Sequence, residues 1–192
     1  MHRNNFEKIM GGTDWLTLPI LKCPQDTLIK DLKFDSDSKL LDFKKKSKSF
    51  LFLEYLPEEV ERLILNFESS VVDLLELQLK YVLEKLSIES KIVRSSQLDL
   101  DPSFKNERKI IQINKQLEST RYLNLAGGID LYQPETFAQE GIKLDIFESY
   151  RGPSTNILDR ILFEDKDTLL NEMASNISFQ NFVHDSRSDL TS

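Results

Sequence analysis

The sequence predicts an α/β fold, a mainly parallel sheet flanked by helices, because strand-like and helix-like segments alternate along its second half. The strand-like runs are 91–94, 122–125 and 144–147, and helical apolar spacing lies between and after them. With 192 residues the chain can bury a core as a single domain. We expect this domain to span residues 1–175, and residues 176–192 to form a polar tail.

The first half predicts a short antiparallel or edge strand pair near the N-terminus. Residues 15–20 and 28–34 are rich in strand formers, and Pro19 limits the first of them to a sheet edge because it lacks a backbone donor. Residues 1–14 are predicted to be irregular, with a turn at Gly11 and Gly12.

The remaining segments predict helices from start signals and apolar spacing. Pro57 with two acidic residues is a typical helix opening, and Ser70 with Asp73 is typical of a capping box. The helices are expected at 38–52, 57–67, 70–86, 104–119, 134–140, 156–162 and 166–174.

Charge and composition limit the classes of partner. The net charge of −7 disfavours nucleic acid, because phosphate binding needs a positive field. No apolar run reaches the roughly 20 residues that span a bilayer, so no transmembrane segment is expected. A single cysteine, Cys23, fits a reducing compartment, which predicts a cytoplasmic protein.

The two histidines, His2 and His184, both lie in terminal segments. A histidine-based triad or metal site inside the domain is therefore not expected, and we predict neither a metal nor a cofactor. Acid–base chemistry would fall to Asp, Glu, Tyr or Lys.

The best candidate site is a paired glycine, Gly127 and Gly128, directly after a predicted strand. Glycine can adopt a positive φ and lets the backbone approach a ligand closely, although a simple tight turn has the same signature. Polar residues at or near predicted strand ends could converge with it, because parallel strands end at one sheet edge. The predicted ligand-binding residues there are Ser95, Ser96, Asn124, Gly127 and Gly128, and the predicted acid–base residues are Asp130, Tyr132 and Glu148.

Three further features have both a functional and a structural interpretation. Arg3 and Asn4 could bind an anionic or sugar ligand, or belong to a flexible terminus. The lysines between 44 and 48 could hold a phosphate or an anionic lipid head group, or form a solvated helix face. Asp159 is expected on the exposed face of its helix.

Together these segments resemble the WbqC-like protein family. The resemblance is carried by residues 122–128 with Leu131, Tyr132, Phe137 and residues 141–144, and by His2, Arg3, Asn4, Gly12 and residues 15–19. Residues 95–98 and 156–159 also fit, so the match covers most of residues 2–165. Members of the family usually begin with a further strand upstream, so we expect a shortened member that lacks its first strand.

The resemblance implies a bacterial protein of surface polysaccharide (O-antigen) biosynthesis. It suggests transfer of a small group, such as an aminoacyl or glycyl group, onto a nucleotide-sugar or glycan precursor. The alternative is a non-catalytic binding or scaffold protein of polysaccharide assembly. A missing first strand would also expose a sheet edge, which favours self-association.

Overall fold

The computed structural model describes residues 3–51 and 58–181. They belong to two compact units, which we call the hairpin unit (Met1–Lys91 and Pro153–Glu172) and the sheet unit (Ile92–Gly152 and Met173–Ser192). The strands are β1 Arg3–Glu7, β2 Thr13–Thr17, β3 Arg121–Leu125, β4 Lys143–Tyr150 and β5 Ile177–Asn181. The helices are α1 Asp37–Ser47, α2 Glu58–Leu65, α3 Val71–Lys85, α4 Asn106–Gln116, α5 Pro134–Gln139, α6 Ile157–Phe163 and α7 Lys166–Ser175.

In the hairpin unit, β1 and β2 form an antiparallel pair. Gly11 and Gly12 close the hairpin at φ values of 85° and 73°, a conformation that glycine adopts without steric cost. The turn was predicted, but the segment before it is a strand and not irregular. The buried core of this unit consists of Phe6, Leu16, Leu18, Phe43, Phe50, Leu63, Ile64, Leu74, Tyr81 and Leu158.

The N-terminal end of α6 covers the outer edge of β1. Asn156 donates its backbone N–H to the Asn5 carbonyl at 2.8 Å, and the Asp159 carboxylate accepts from the Glu7 N–H at 2.7 Å. Asp159 is therefore only 2% exposed, and its expected place on a solvent-facing side of the helix was wrong. Helical spacing alone does not show that a strand edge packs against this face.

The sheet unit contains three strands in the order β3-β4-β5. β3 and β4 are parallel and are joined through α5, whereas β4 and β5 are antiparallel with an irregularity between Phe147 and Ser149. The buried core on one side of the sheet consists of Ile111, Phe137, Ile142, Leu144 and Ile146.

The α/β class and an N-terminal antiparallel pair are present, but the mainly parallel sheet is a correction. Among the described strands one pair is parallel and two are antiparallel. The hairpin loop between β1 and β2 is too short for a parallel crossover, and β5 returns along β4 in the opposite direction. The single-domain interpretation stays a prediction.

Two predicted strands are absent. Residues 91–94 have no regular structure, and residues 28–34 contain the 3₁₀ turn Ile29–Asp31, with a single bridge from Phe34 to Ile20. Short apolar runs are ambiguous because a strand also needs a partner to satisfy its backbone. Within the expected tail, residues 177–181 form β5.

The predicted helices are largely confirmed, including the capping box. The Ser70 hydroxyl accepts from the Asp73 N–H at 3.2 Å and donates to its carboxylate at 2.6 Å. Three of the predicted features lie outside the described residues: the helix opening at Pro57, both histidines, and the tail beyond residue 181. None of the helices in the described ranges has the length and apolar character needed to cross a bilayer.

Candidate functional site at the end of the parallel strands

The candidate site lies where β3 ends at Leu125, beside β4, which continues to Tyr150, so Glu148 lies within a strand and not at its end as predicted. Leu125, the last residue of β3, is opposite Phe147 in β4. Because the strands are parallel, the segment beginning at Ala126 and the residue Glu148 follow at the same end of the pair. A 3₁₀ turn, Ala126–Leu131, contacts both strands there. Carboxyl ends of parallel strands are common ligand sites in α/β folds.

The two glycines of this turn differ in their surroundings. A Cβ on Gly128 would overlap the Asn124 side-chain amide and lie 3.5 Å from Cε2 of Tyr132, whereas a Cβ on Gly127 would meet nothing within 4 Å. Neither has a positive φ, so the turn does not use the left-handed conformation that is open to glycine. The turn is a right-handed 3₁₀ segment, and close packing against the Asn124 side chain favours glycine at position 128.

Three aromatic rings pack beside this turn. Tyr122 of β3 stacks on Phe137 of α5 with centroids 5.6 Å apart, and Tyr132 lies edge-on to both rings at 6.0 and 5.8 Å. Burial, the neighbouring Tyr132 and a side-chain hydrogen bond between the tyrosines raise the pKa of Tyr122 to about 12. The Tyr122 hydroxyl keeps its proton at neutral pH, as an ordinary tyrosine does, and so does not act as a base.

The predicted residues divide into one contacting set and several separate ones. Asn124, Gly128 and Tyr132 are in direct proximity. Gly127, Asp130 and Glu148 are exposed, and so are Ser95 and Ser96, which form a 3₁₀ turn with Gln97. We predicted that the two serines end a strand, and this was wrong, because residues 91–94 form no strand. Arg3 and Asn4 belong to β1 of the hairpin unit.

Sequence reasoning missed Tyr122 and, in the same sheet, a buried aspartate paired with two half-exposed cations. Arg121 is opposite Lys143 across the parallel pair, and Asp145 forms ion pairs with both; the Lys143 ammonium is 3.2 Å from its Oδ1. Burial raises the pKa of Asp145, but the two cations outweigh it, so the pKa lies below its usual value. No clear signal was available in the sequence, because strand alternation places Asp145 on the face opposite Leu144 and Ile146, where an acid is usually exposed to solvent.

The part of the chain that the structure describes contains no group of three or more His, Cys, Asp or Glu residues that could hold a metal ion. The turn itself offers an amide, tyrosine hydroxyls, exposed carboxylates and backbone N–H groups. Such groups can bind and orient a polar ligand and transfer its protons.

Comparison with known proteins gives one match. A family model described as the WbqC-like protein family matches residues 1–165. Searches of curated proteins and of solved structures gave no match.

Proposed function

Because the chain belongs to the WbqC-like protein family, we propose that it acts in bacterial surface polysaccharide (O-antigen) biosynthesis as a small-group transferase. The transferred group would be an aminoacyl group such as glycyl, and the acceptor a nucleotide-sugar or glycan precursor in the cytoplasm. The observation that carries this proposal is the packed turn after β3. Gly128 leaves room there for the Asn124 amide, beside two tyrosine rings.

The proposed roles follow from the chemistry of each group. A hydroxyl or amine of the sugar attacks the acyl carbonyl, the bond to the donor's leaving group breaks, and a proton passes from nucleophile to leaving group. Asp130 or Glu148 would accept that proton, and Tyr132 would donate its hydroxyl proton to the leaving group. Transfer of the proton from the carboxylic acid to Tyr132 would then restore both groups. The Asn124 amide and backbone N–H groups of the turn would stabilise the oxyanion.

A second candidate function is a non-catalytic binding protein of polysaccharide assembly. Two observations favour it: Asp130 and Glu148 are both exposed, and the described contacts bring neither of them to Asn124 or Tyr132. Self-association is part of either proposal. β3 is the end strand of the three-stranded order, so its outer edge is a candidate for pairing with a second chain.

Complementation of a deletion strain distinguishes the two functions. The transferase predicts that Asp130→Asn combined with Glu148→Gln abolishes the polysaccharide modification, and that Tyr132→Phe reduces it. Gly127→Ala is the matched control, since its added methyl group meets no neighbour. Circular dichroism should show that every variant folds.

A direct assay completes the test. The purified chain would be incubated with a glycyl thioester and a panel of nucleotide-sugars, and the products analysed by mass spectrometry for the added acyl mass. Unmodified sugars throughout, together with full complementation by the carboxylate double variant, would overturn the transferase proposal and favour the binding protein.

A further inference from the structure

A second candidate site lies entirely within the hairpin unit. A groove of about 390 Å³ runs between residues 15–20, which include the end of β2, and one face of α1. Its floor contains Leu16 and Phe43 of the buried core, and its walls carry Trp15, Lys39, Asp42 and Lys46. None of the residues at the turn after β3 takes part in it.

The strand side of this groove presents backbone polar groups. The Asn5 carbonyl and the Glu7 N–H of β1 point away from β2, as their hydrogen bonds to Asn156 and Asp159 show. Their partners in the hairpin, Trp15 and Thr13, therefore face the opposite edge of the pair. The Lys46 ammonium confirms this orientation, since it donates to the Trp15 carbonyl at 2.6 Å. The same alternation directs the backbone of Thr17 toward the groove.

The helix side presents one stripe of charged groups. Lys39, Asp42 and Lys46 recur at helical spacing, so they share the face that lines the groove. Lys46 is 3.2 Å from the Asp14 carboxylate, and the Trp15 N–H and Lys46 together hold the pKa of Asp14 below its usual value. Lys39 forms no ion pair with a described residue, which leaves its ammonium available for an anion.

Trp15 supplies an aromatic surface at the mouth of the groove. It is 45% exposed, whereas its neighbours Leu16 and Leu18 are 3% and 6% exposed. The negative face of an indole attracts the positively polarised C–H groups of a ring that stacks on it. An exposed indole beside a cation and a carboxylate forms a mixed site that a purely apolar ligand would not match.

From these groups we propose that the groove binds a phosphorylated sugar. The sugar ring stacks on Trp15, its hydroxyls donate to Asp42 and to the Thr17 carbonyl, and its phosphate pairs with Lys39. Lys46 keeps its contacts with Asp14 and the Trp15 carbonyl. A free sugar phosphate and the ribose phosphate of a nucleotide share this chemistry.

Intrinsic fluorescence tests the proposal directly, because Trp15 is the single tryptophan of the chain. The full chain would be titrated with glucose 1-phosphate, UMP, glucose and inorganic phosphate, each to about 10 mM, a range that detects affinities down to the millimolar level. A saturable change with glucose 1-phosphate or UMP, and a much weaker one with glucose or phosphate alone, is the expected result. The tighter of the first two identifies the source of the sugar phosphate.

Matched lysine variants show whether the signal comes from this groove. Lys39→Met should weaken binding about tenfold or more, the loss expected for one charge-assisted contact. Lys48→Met, a lysine at the end of α1 that does not line the groove, should leave binding unchanged. Calorimetry on Trp15→Phe, which keeps a smaller ring, should show weakened binding.

Absence of any saturable change, or binding that Lys39→Met leaves intact, would overturn the groove proposal. Neither result bears on the transferase, whose test uses residues of the sheet unit. Conversely, saturable binding in the groove would stand even if the acyl-transfer assay failed.

Discussion

Among the described residues, each of the two units buries one aspartate, and the two carboxylates are stabilised in opposite ways. Asp145 of the sheet unit is 0% exposed and forms ion pairs with Arg121 and Lys143. Asp159 of the hairpin unit is 2% exposed, accepts the Glu7 N–H and forms no ion pair with a described residue. Burial and the nearby Glu7 charge raise its pKa above the usual value, against the effect of the backbone hydrogen bond.

The difference shows that burial alone does not set the ionisation of a carboxyl group. Desolvation raises the pKa of both aspartates, but only Asp145 has cations close enough to reverse the effect. Asp145 therefore depends on charge compensation, and Asp159 depends on its role as a hydrogen-bond acceptor. Each dependence can be tested by removing one partner.

The largest effect is expected when Asp145 loses both cations. The double variant Arg121→Met and Lys143→Met leaves an uncompensated buried charge, and should lower the free energy of unfolding by about 3 kcal/mol at neutral pH. Urea denaturation measures the change. Lys115→Met is the control, because its exposed pair with Glu140 should contribute at most about 1 kcal/mol. A double variant no less stable than this control would mean that Asp145 needs no compensation.

For Asp159 the acceptor should matter more than the charge. Asp159→Ala leaves the Glu7 N–H without its acceptor and should cost about 1–3 kcal/mol. Asp159→Asn keeps a side-chain oxygen and should remain within about 1 kcal/mol of the parent chain. Thermal and urea unfolding of both variants measure the difference. Equal losses in the two would argue that the negative charge itself stabilises the hairpin unit.

The sheet unit has a second sensitive position, which is steric. Gly128→Ala places a methyl group against the Asn124 amide and should cost about 1–3 kcal/mol, the usual range for overpacking. Gly127→Ala, in the same turn but facing open space, should change stability by no more than about 0.5 kcal/mol. Chemical denaturation of the pair tests this, and equal tolerance at both positions would refute close packing at Gly128.

The pH dependence of stability should separate the aspartates by sign, with slopes of at most about 1.4 kcal/mol per pH unit for each group. The native pKa of Asp145 is lowered, so its contribution is present above the unfolded value of 3.8 and is lost as pH falls through the native pKa. The native pKa of Asp159 is raised, so the penalty of ionising it grows as pH rises from 3.8 through the native pKa. With rising pH, the stability of Asp159→Asn should therefore increase relative to the parent chain. The stability of Asp145→Asn should decrease relative to the parent chain. Urea titrations at a series of pH values check this; parallel profiles would contradict it.

Features set by local sequence could be predicted, and those set by distant partners could not. The capping box at Ser70 and the Asn156 cap, which accepts from the Leu158 N–H at 2.8 Å, follow from residues two or three positions apart. β5 forms because it pairs with β4, which is distant in the sequence. The predicted strand at 91–94 does not form, because no described strand pairs with it. A run such as Lys91 to Arg94 carries no information on whether a partner edge is free to receive it.

The same limit applies to the candidate site. The proximity of Asn124, Gly128 and Tyr132 comes from one short segment and was accessible to sequence reasoning. The buried position of Asp159 could not be predicted, because the strand that covers it is 152 positions away along the chain. Ser95 and Ser96 were assigned to a strand end that does not form.

The contact between Glu7 and Asp159 has a consequence for how the protein is made. The two residues are 152 positions apart, and the sheet unit's Ile92–Gly152 lies between them in the sequence. At about 5–20 residues per second, the outer edge of β1 waits roughly 8–30 s on the ribosome for the helix that covers it. During that interval the hairpin presents an unpaired edge that a nascent-chain chaperone can protect. The sheet-unit segment can begin folding first, so the order of synthesis and the order of assembly differ in this chain.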